Sequence, residues 1–237
     1  WLFARGCNLV IPHAFYYSLR DARKDERPPE VGMHSVFWGE YKEISDYIKR
    51  CCCLNTDCVN ITDIAVLCAE RELPDEAVRV LYEHQVEFNY LERDLLSRVA
   101  LKDGVAEIAD QAYCVIIVDR DYDPKTTAFL ERFSASGGTV IDFRSYAAES
   151  DYLAAVCRES RTLLDIEASE HLRMTHLRKY GVDIVFLSNE GEEPVAATVR
   201  EKVAAVWDSE QGTRIPHAAD TLNLILPPRK SIHLILA

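Results

Sequence analysis

The run Tyr113–Val118, YCVIIV, is apolar at every position. A strand with one wet face alternates polar and apolar residues, so an unbroken run fits a strand covered on both faces, as in a parallel sheet between helices. The surrounding sequence supplies the rest of that pattern. Asp63–Cys68 is a second short buried strand, and Val86–Tyr90 and Thr139–Phe143 are two more. Helical stretches separate them. Pro74–His84 has Pro near its start and acids in its first turn, as the helix dipole prefers. Thr126–Ser136 is closed by Gly137 and Gly138, and Ala147–Cys157 follows. Glu92–Arg98 reads as a short helix and Val105–Ile108 as a small edge strand. Repeated strand–helix units imply a parallel sheet with right-handed crossovers.

The flanks have a different texture. From residue 166 onward, strand-like runs succeed one another: Leu172–Tyr180, Val182–Leu187, Pro194–Val199, Val203–Trp207, Thr221–Leu226 and Ser231–Leu236. Turn signals such as Tyr180-Gly181 and Pro227-Pro228 divide them, which predicts an antiparallel β-sandwich. At the other end a short apolar run, Cys7–Ile11, reads as a strand ending in Pro12-His13. A polar loop over Arg20–Pro29 follows, and then Trp38, Tyr41, Ile44 and Ile48 recur at helical spacing, predicting a helix over Phe37–Cys52. The expected fold class is therefore α/β plus β, in three segments: 1–57 (strand, loop, helix), 58–165 (parallel α/β) and 166–237 (sandwich).

With 27 Lys and Arg against 39 Asp and Glu, the formal net charge is −12. Such a surface repels the phosphate backbone, so no nucleic-acid partner is expected. No apolar run approaches the ~20 residues that span a bilayer, so no membrane partner is expected either. The first residues, WLFARG, lack a basic stretch followed by an apolar one, and they begin in mid-pattern without Met, as in a piece of something longer. The eight cysteines include three in a row, Cys51–Cys53, but no second pair at zinc-site spacing. Cys68 and Cys114 sit in apolar runs, where a free cysteine behaves as a small hydrophobe. This usage favours a reducing, cytoplasmic compartment. Asn60-Ile61-Thr62 matches a glycosylation sequon but leads into a strand.

The α/β segment carries neither phosphate glycines after Cys68 nor a nucleophile elbow after Val118, so no cofactor and no catalytic residue is assigned to it. Asp119, Asp121 and Asp123 follow a strand end, but the calcium-loop pattern breaks at Pro124, and a solvated acidic loop is expected; no metal site is assigned. The first segment is the better candidate. Asn8, His13, Tyr16 and Trp38, with Tyr17, place amide, imidazole and aromatic groups around a strand end and its loop, the combination that holds a sugar ring. The alternative is that His13 and the tyrosines only pack that junction.

The order of motifs resembles large glycoside hydrolases of the α-L-rhamnosidase type. Gly6–Ser18 (GCNLVIPHAFYYS) is similar to a strand near the end of their catalytic barrel. Pro28-Pro29, His34–Trp38, Tyr41 and Asp46–Arg50 resemble their last barrel helix. Asp63–Leu67, Arg93–Leu96, Tyr113–Val118 and Phe133–Ile141 resemble the amidotransferase-like α/β domain that follows, of flavodoxin-like type. Tyr180–Gly191, Val206–Gly212 and Leu226–Ser231 resemble the strands of their closing sandwich. β-Galactosidases with a trimerising amidotransferase-like domain share the layout.

This resemblance implies a (β/α)8 barrel end, an α/β domain that could form a homo-oligomer, and a sandwich, with carbohydrate as the parent's substrate. A barrel of this kind takes ~250 residues, and its two catalytic carboxylates would lie upstream of this chain. Two readings stay open: the C-terminal part of such an enzyme, or a non-catalytic α/β interaction or oligomerisation module with an appended sandwich. A divergent amidotransferase is a third, opposed by the missing nucleophile elbow.

Overall fold

A computed structural model describes every residue from Trp1 to Ala237. Residues 1–40 contain two 3₁₀ turns, Phe3–Arg5 and Asp21–Asp25, and no strand. The strand expected over Cys7–Ile11 is absent. A parallel strand exists only through the ladders it shares with neighbours, and nothing pairs with this run. The first helix, α1 (Tyr41–Asn55), begins at Tyr41 rather than Phe37 because turns occupy the residues before it.

Next come β1 (Val59–Asn60), β2 (Ile64–Cys68), α2 (Asp75–Glu83), β3 (Asn89–Glu92), β4 (Ala100–Lys102), β5 (Val105–Ile108) and β6 (Gln111–Tyr113). Then follow β7 (Val115–Val118), α3 (Pro124–Ala135), β8 (Thr139–Asp142) and α4 (Glu149–Glu159). Strands β3-β2-β7-β8, in that order, form a four-stranded sheet with every neighbour parallel. The continuous apolar runs have the expected cause. Ile64, Val66, Val115 and Ile117 face Leu81 of α2 and Tyr152 and Val156 of α4. Ala65, Leu67, Ile116 and Val118 face Phe129 and Phe133 of α3. Each of the larger aliphatic side chains contributes roughly 1.5–3 kcal/mol by leaving water.

Asp123 starts α3 by accepting from the Lys125 and Thr126 amides at 3.0 and 3.1 Å, with Pro124 in the first turn. At the helix stop Gly137 takes a left-handed φ of 101°, and Gly138 is required sterically, for a Cβ there would meet the Phe133 ring at 2.2 Å. Val105–Ile108 is not an edge strand. It is the middle of a separate antiparallel sheet, β4-β5-β6, that adds Ala106 and Tyr113 to the α3 face.

The last third holds β9 (Ile166–Ala168), β10 (Leu172–Lys179), β11 (Val182–Asn189), β12 (Val195–Val199), β13 (Val203–Asp208), β14 (Thr213–Pro216), β15 (Leu222–Leu226) and β16 (Ser231–Leu236). One antiparallel sheet runs β1-β10-β11-β16-β13-β14 and a second β15-β12-β9. Between them lie Leu172, Val185, Leu187, Leu234, Val195 and Leu226. Tyr180 and Gly181, both at positive φ (50° and 79°), make the two-residue turn joining β10 to β11.

The outer face of the large sheet is also dry. Phe186 packs with Phe3, Ala4 and Cys51, and Leu177 and Ile184 pack with Leu54. α1 is further tied down by Tyr47, whose hydroxyl lies 2.8 Å from the Ser231 hydroxyl, and by Arg50, which donates to the carbonyls of Ser209 and Glu210 at 3.1 Å. The first segment is thus fastened to the sandwich, and β1 pairs with β10 although the α/β strands follow it directly. No helix is long and apolar enough to cross a membrane.

Candidate functional site

The residues singled out in the first segment do not converge. His13 and Trp38 are exposed, and Trp38 stacks on Tyr41 with centroids 5.3 Å apart. The Tyr16 hydroxyl donates to the Pro28 carbonyl at 2.7 Å, pinning its own loop. Asn8 is held through its carbonyl, which accepts from the Thr56 hydroxyl at 2.8 Å. Of the four, Asn8 alone lines the cleft described below.

Open α/β sheets bind ligands beyond the carboxyl ends of the strands, where the strand order reverses. Here that point lies between β2 and β7, and the protein fills it with its own side chains. The Tyr122 hydroxyl donates to the Leu67 carbonyl at 3.0 Å. Arg120 spans from Glu72 at 2.7 Å to Asp119 at 2.9 Å. The three aspartates have separate engagements: Asp119 with Arg120, Asp121 with Arg144 at 3.0 Å, and Asp123 at the start of α3.

A polar cleft of about 250 Å³ opens where all three segments meet. Its amides are Asn8, Asn55, Asn60 and Asn89; its aromatic walls are Tyr82, Phe88 and Tyr90. Glu87 also lines it and accepts from Asn60 Nδ2 at 3.1 Å and from the His176 amide at 2.9 Å. Burial pushes the Glu87 carboxyl up to about 7, against the pull of those donors. Asn55 accepts through Oδ1 from His233 Nε2 at 3.3 Å, and its own Nδ2 has no partner. Asn60 Oδ1 is likewise unpaired. Arg5 at the rim is neutralised by Glu190, to which it donates at 2.9 Å.

Sequence reasoning passed over this site because its members lie at 55, 60, 87 and 89 on different elements. The one available signal was Glu87 standing inside an otherwise apolar lead-in, Val86–Phe88.

The elevated Glu87 carboxyl has a consequence for stability. An acid whose folded value exceeds its ordinary 4.5 binds its proton more tightly when folded. Its contribution is therefore full below about 4.5 and lost as the pH rises through about 7. Glu87→Gln should remove that loss, so the stability gap between wild type and variant should shift by about 1–3 kcal/mol between pH 5 and 8. Urea titrations of both proteins at the two pH values check this; parallel curves would remove Glu87 as a titrating group.

No protein-family model matches the chain, and no curated protein does. Among solved structures it is similar to a rhamnosidase from Novosphingobium sp. PP1Y, with a TM-score of 0.64 and 14% identity over 84% of this chain and 25% of that one. It is also similar to a GH42 beta-galactosidase from G. stearothermophilus (TM-score 0.61, 12% identity, 88% of this chain, 46% of that one). A beta-galactosidase from Bacillus circulans sp. alkalophilus gives 0.58 and 13%, over 87% of this chain and 46% of that one. At such identities the likeness is one of fold, and the chain spans less than half of each neighbour's length.

Proposed function

We propose that this chain is the C-terminal portion of an α-L-rhamnosidase-like glycoside hydrolase acting on carbohydrate. In this reading residues 1–57 complete a catalytic barrel, and the α/β and sandwich segments serve a structural or oligomerising role. The observation that carries it is where apolar surface stays wet. Eleven of the seventeen large exposed apolar side chains lie within the first 44 residues, among them Trp1, Leu9, Ile11, Phe15, Phe37 and Trp38. Concentrated apolar exposure marks an interface, and the rest of a barrel is the partner that the resemblance to large glycoside hydrolases implies. The similarity to β-galactosidases is nearly as close, which favours a β-galactosidase-like hydrolase with a trimerising domain as the second reading.

Glycoside hydrolysis needs two carboxylates flanking the scissile bond, and this reading assigns both to residues outside the chain. The chain alone should therefore turn over neither nitrophenyl α-L-rhamnoside nor nitrophenyl β-D-galactoside. Turnover that disappears on changing a residue within 1–237 would refute the reading. Asn8, His13, Tyr16 and Trp38 are then substrate-side residues at the barrel mouth. In the longer protein, His13→Ala should lower kcat/KM by about 1–3 kcal/mol, the cost of an unpaired polar partner, with Tm almost unchanged. A lower Tm with unaltered activity per folded molecule would make His13 a packing residue.

A further inference from the structure

The separate pieces of the first segment meet at Tyr41. Its ring stacks on Trp38, with centroids 5.3 Å apart and planes at 20°, and meets Phe15 edge-on at 5.8 Å and 90°. With Leu9 and Pro12 it also lines a groove beside α1, and Pro12 leads directly into His13. We infer that Tyr41 is a positioning residue: it fixes the Trp38 indole as a stacking platform for one face of a pyranose ring. This inference rests on the barrel reading above, in which Trp38 lies on the substrate side.

A positioning residue needs a firm base, and Tyr41 has one. It opens α1, and the far half of that helix is anchored in the sandwich. Cys51 is fully buried with Phe3 and Phe186, and Leu54 packs with Leu177 and Ile184. The loop that Tyr41 steadies has little regular structure, for residues 13–40 hold one 3₁₀ turn and no strand. Three contacts close the loop on itself. The Tyr16 hydroxyl donates to the Pro28 carbonyl, and the Val31 amide donates to the Ala14 carbonyl at 3.0 Å. The Phe15 ring lies so close to Gly32 that a Cβ there would meet it at 2.8 Å. None of these contacts involves the indole. Trp38 is held by its backbone, whose carbonyl accepts from the Tyr41 amide at 3.2 Å, and by the Tyr41 ring.

The stack still leaves aromatic surface to solvent, since Trp38 is 45% exposed. A pyranose carries C–H groups on its faces and hydroxyls around its edge. It can therefore cover an aromatic plane with one face while its hydroxyls stay hydrated. An indole already ordered before the sugar arrives lowers the ordering cost of binding. The barrel reading supplies the ligand class, and the Tyr41 contacts supply the platform.

The first test uses the intact 237-residue chain. Its Trp38 indole N–H resonance is assigned by comparison with Trp38→Phe. Tyr41→Leu keeps apolar bulk and helix propensity but removes the ring. It should shift the Trp38 resonance and lower its heteronuclear NOE, with the far-ultraviolet circular dichroism of the chain unchanged. Tyr41→Phe should match wild type in both readings. In the longer protein, Tyr41→Leu should raise KM about fivefold at unchanged kcat, the mark of lost binding shared by ground and transition states. Tyr41→Phe should keep the wild-type KM. A merely structural role would lower the yield of folded enzyme and leave KM alone. An indole as ordered in Tyr41→Leu as in wild type overturns the inference, and so does an unmoved KM. A longer protein inactive on every glycoside would instead remove the barrel reading, and this role with it.

Discussion

Acidification should cost this fold on the order of 5 kcal/mol through His233 alone. The imidazole is fully buried on β16, on the outer face of the large sheet, with Asn55 of α1 against it. Its ring lies 4.8 Å from that of Phe186. A neutral ring satisfies both neighbours: Nε2 donates to Asn55 Oδ1 and Nδ1 accepts from the Ser209 hydroxyl. Burial depresses its protonation from the ordinary 6.5 to about 3. A depressed value means that the unfolded chain takes the proton first. The contribution of His233 is thus present above about 6.5 and lost as the pH falls toward about 3. His233→Gln keeps a donor and an acceptor but cannot charge. Acid unfolding followed by circular dichroism should therefore be markedly steeper between pH 6 and 4 for wild type than for the variant. Superimposable pH profiles would show that the ring is hydrated or already charged.

His233 also shows where the sequence stopped being legible. Strands buried on both faces announced themselves: β2 and β7 are apolar at every position, and the helices that cover them carried their own caps and stops. The turn at Tyr180-Gly181 was readable because a glycine between two strand-like runs marks a tight turn. The run Val185–Leu187 carried the same signal of two-sided burial, yet the cover came from α1, more than a hundred residues earlier, so a sandwich with one wet face was the natural expectation.

Cys7–Ile11 misled for the opposite reason. It has strand composition, but strand formation depends on a neighbour that composition does not contain. Short pieces such as β1, β4 and β14 are too brief to show a period, and β14 is exposed throughout. The cleft was the least legible feature. Its unpaired amides are brought together by the contact between α1, β1 and the approach to β3, and no spacing along the chain encodes that meeting.

Asp63→Ala should cost about 2–4 kcal/mol, because several buried neutral donors lose the acceptor they share. Asp63 precedes β2 and is only 7% exposed. Its Oδ1 accepts from the Ser160 hydroxyl at 2.6 Å and the Thr162 hydroxyl at 2.9 Å. Its Oδ2 accepts from the Arg161 amide at 2.7 Å and the Cys114 thiol at 3.0 Å. Burial alone would raise this carboxyl, but the donors outweigh it and hold it below the usual 3.8.

Burial, together with the same contact, pushes the Cys114 thiol up to about 12, so it stays a donor at any ordinary pH. One carboxylate thereby clamps the entry to β2, the entry to β7 and the loop leaving α4. Alanine leaves three side-chain donors and one amide facing an apolar methyl. Asparagine keeps the shape but turns an NH2 toward donors, so Asp63→Asn should lose about half as much. The pH dependence has the opposite sign to that of Glu87: a lowered carboxyl stabilises above its unfolded value and loses that contribution as the pH falls below about 3.8. Urea unfolding at pH 7 measures the first effect. A loss under about 1 kcal/mol for Asp63→Ala would mean that water replaces the four bonds, and that the clamp adds little to the parallel sheet.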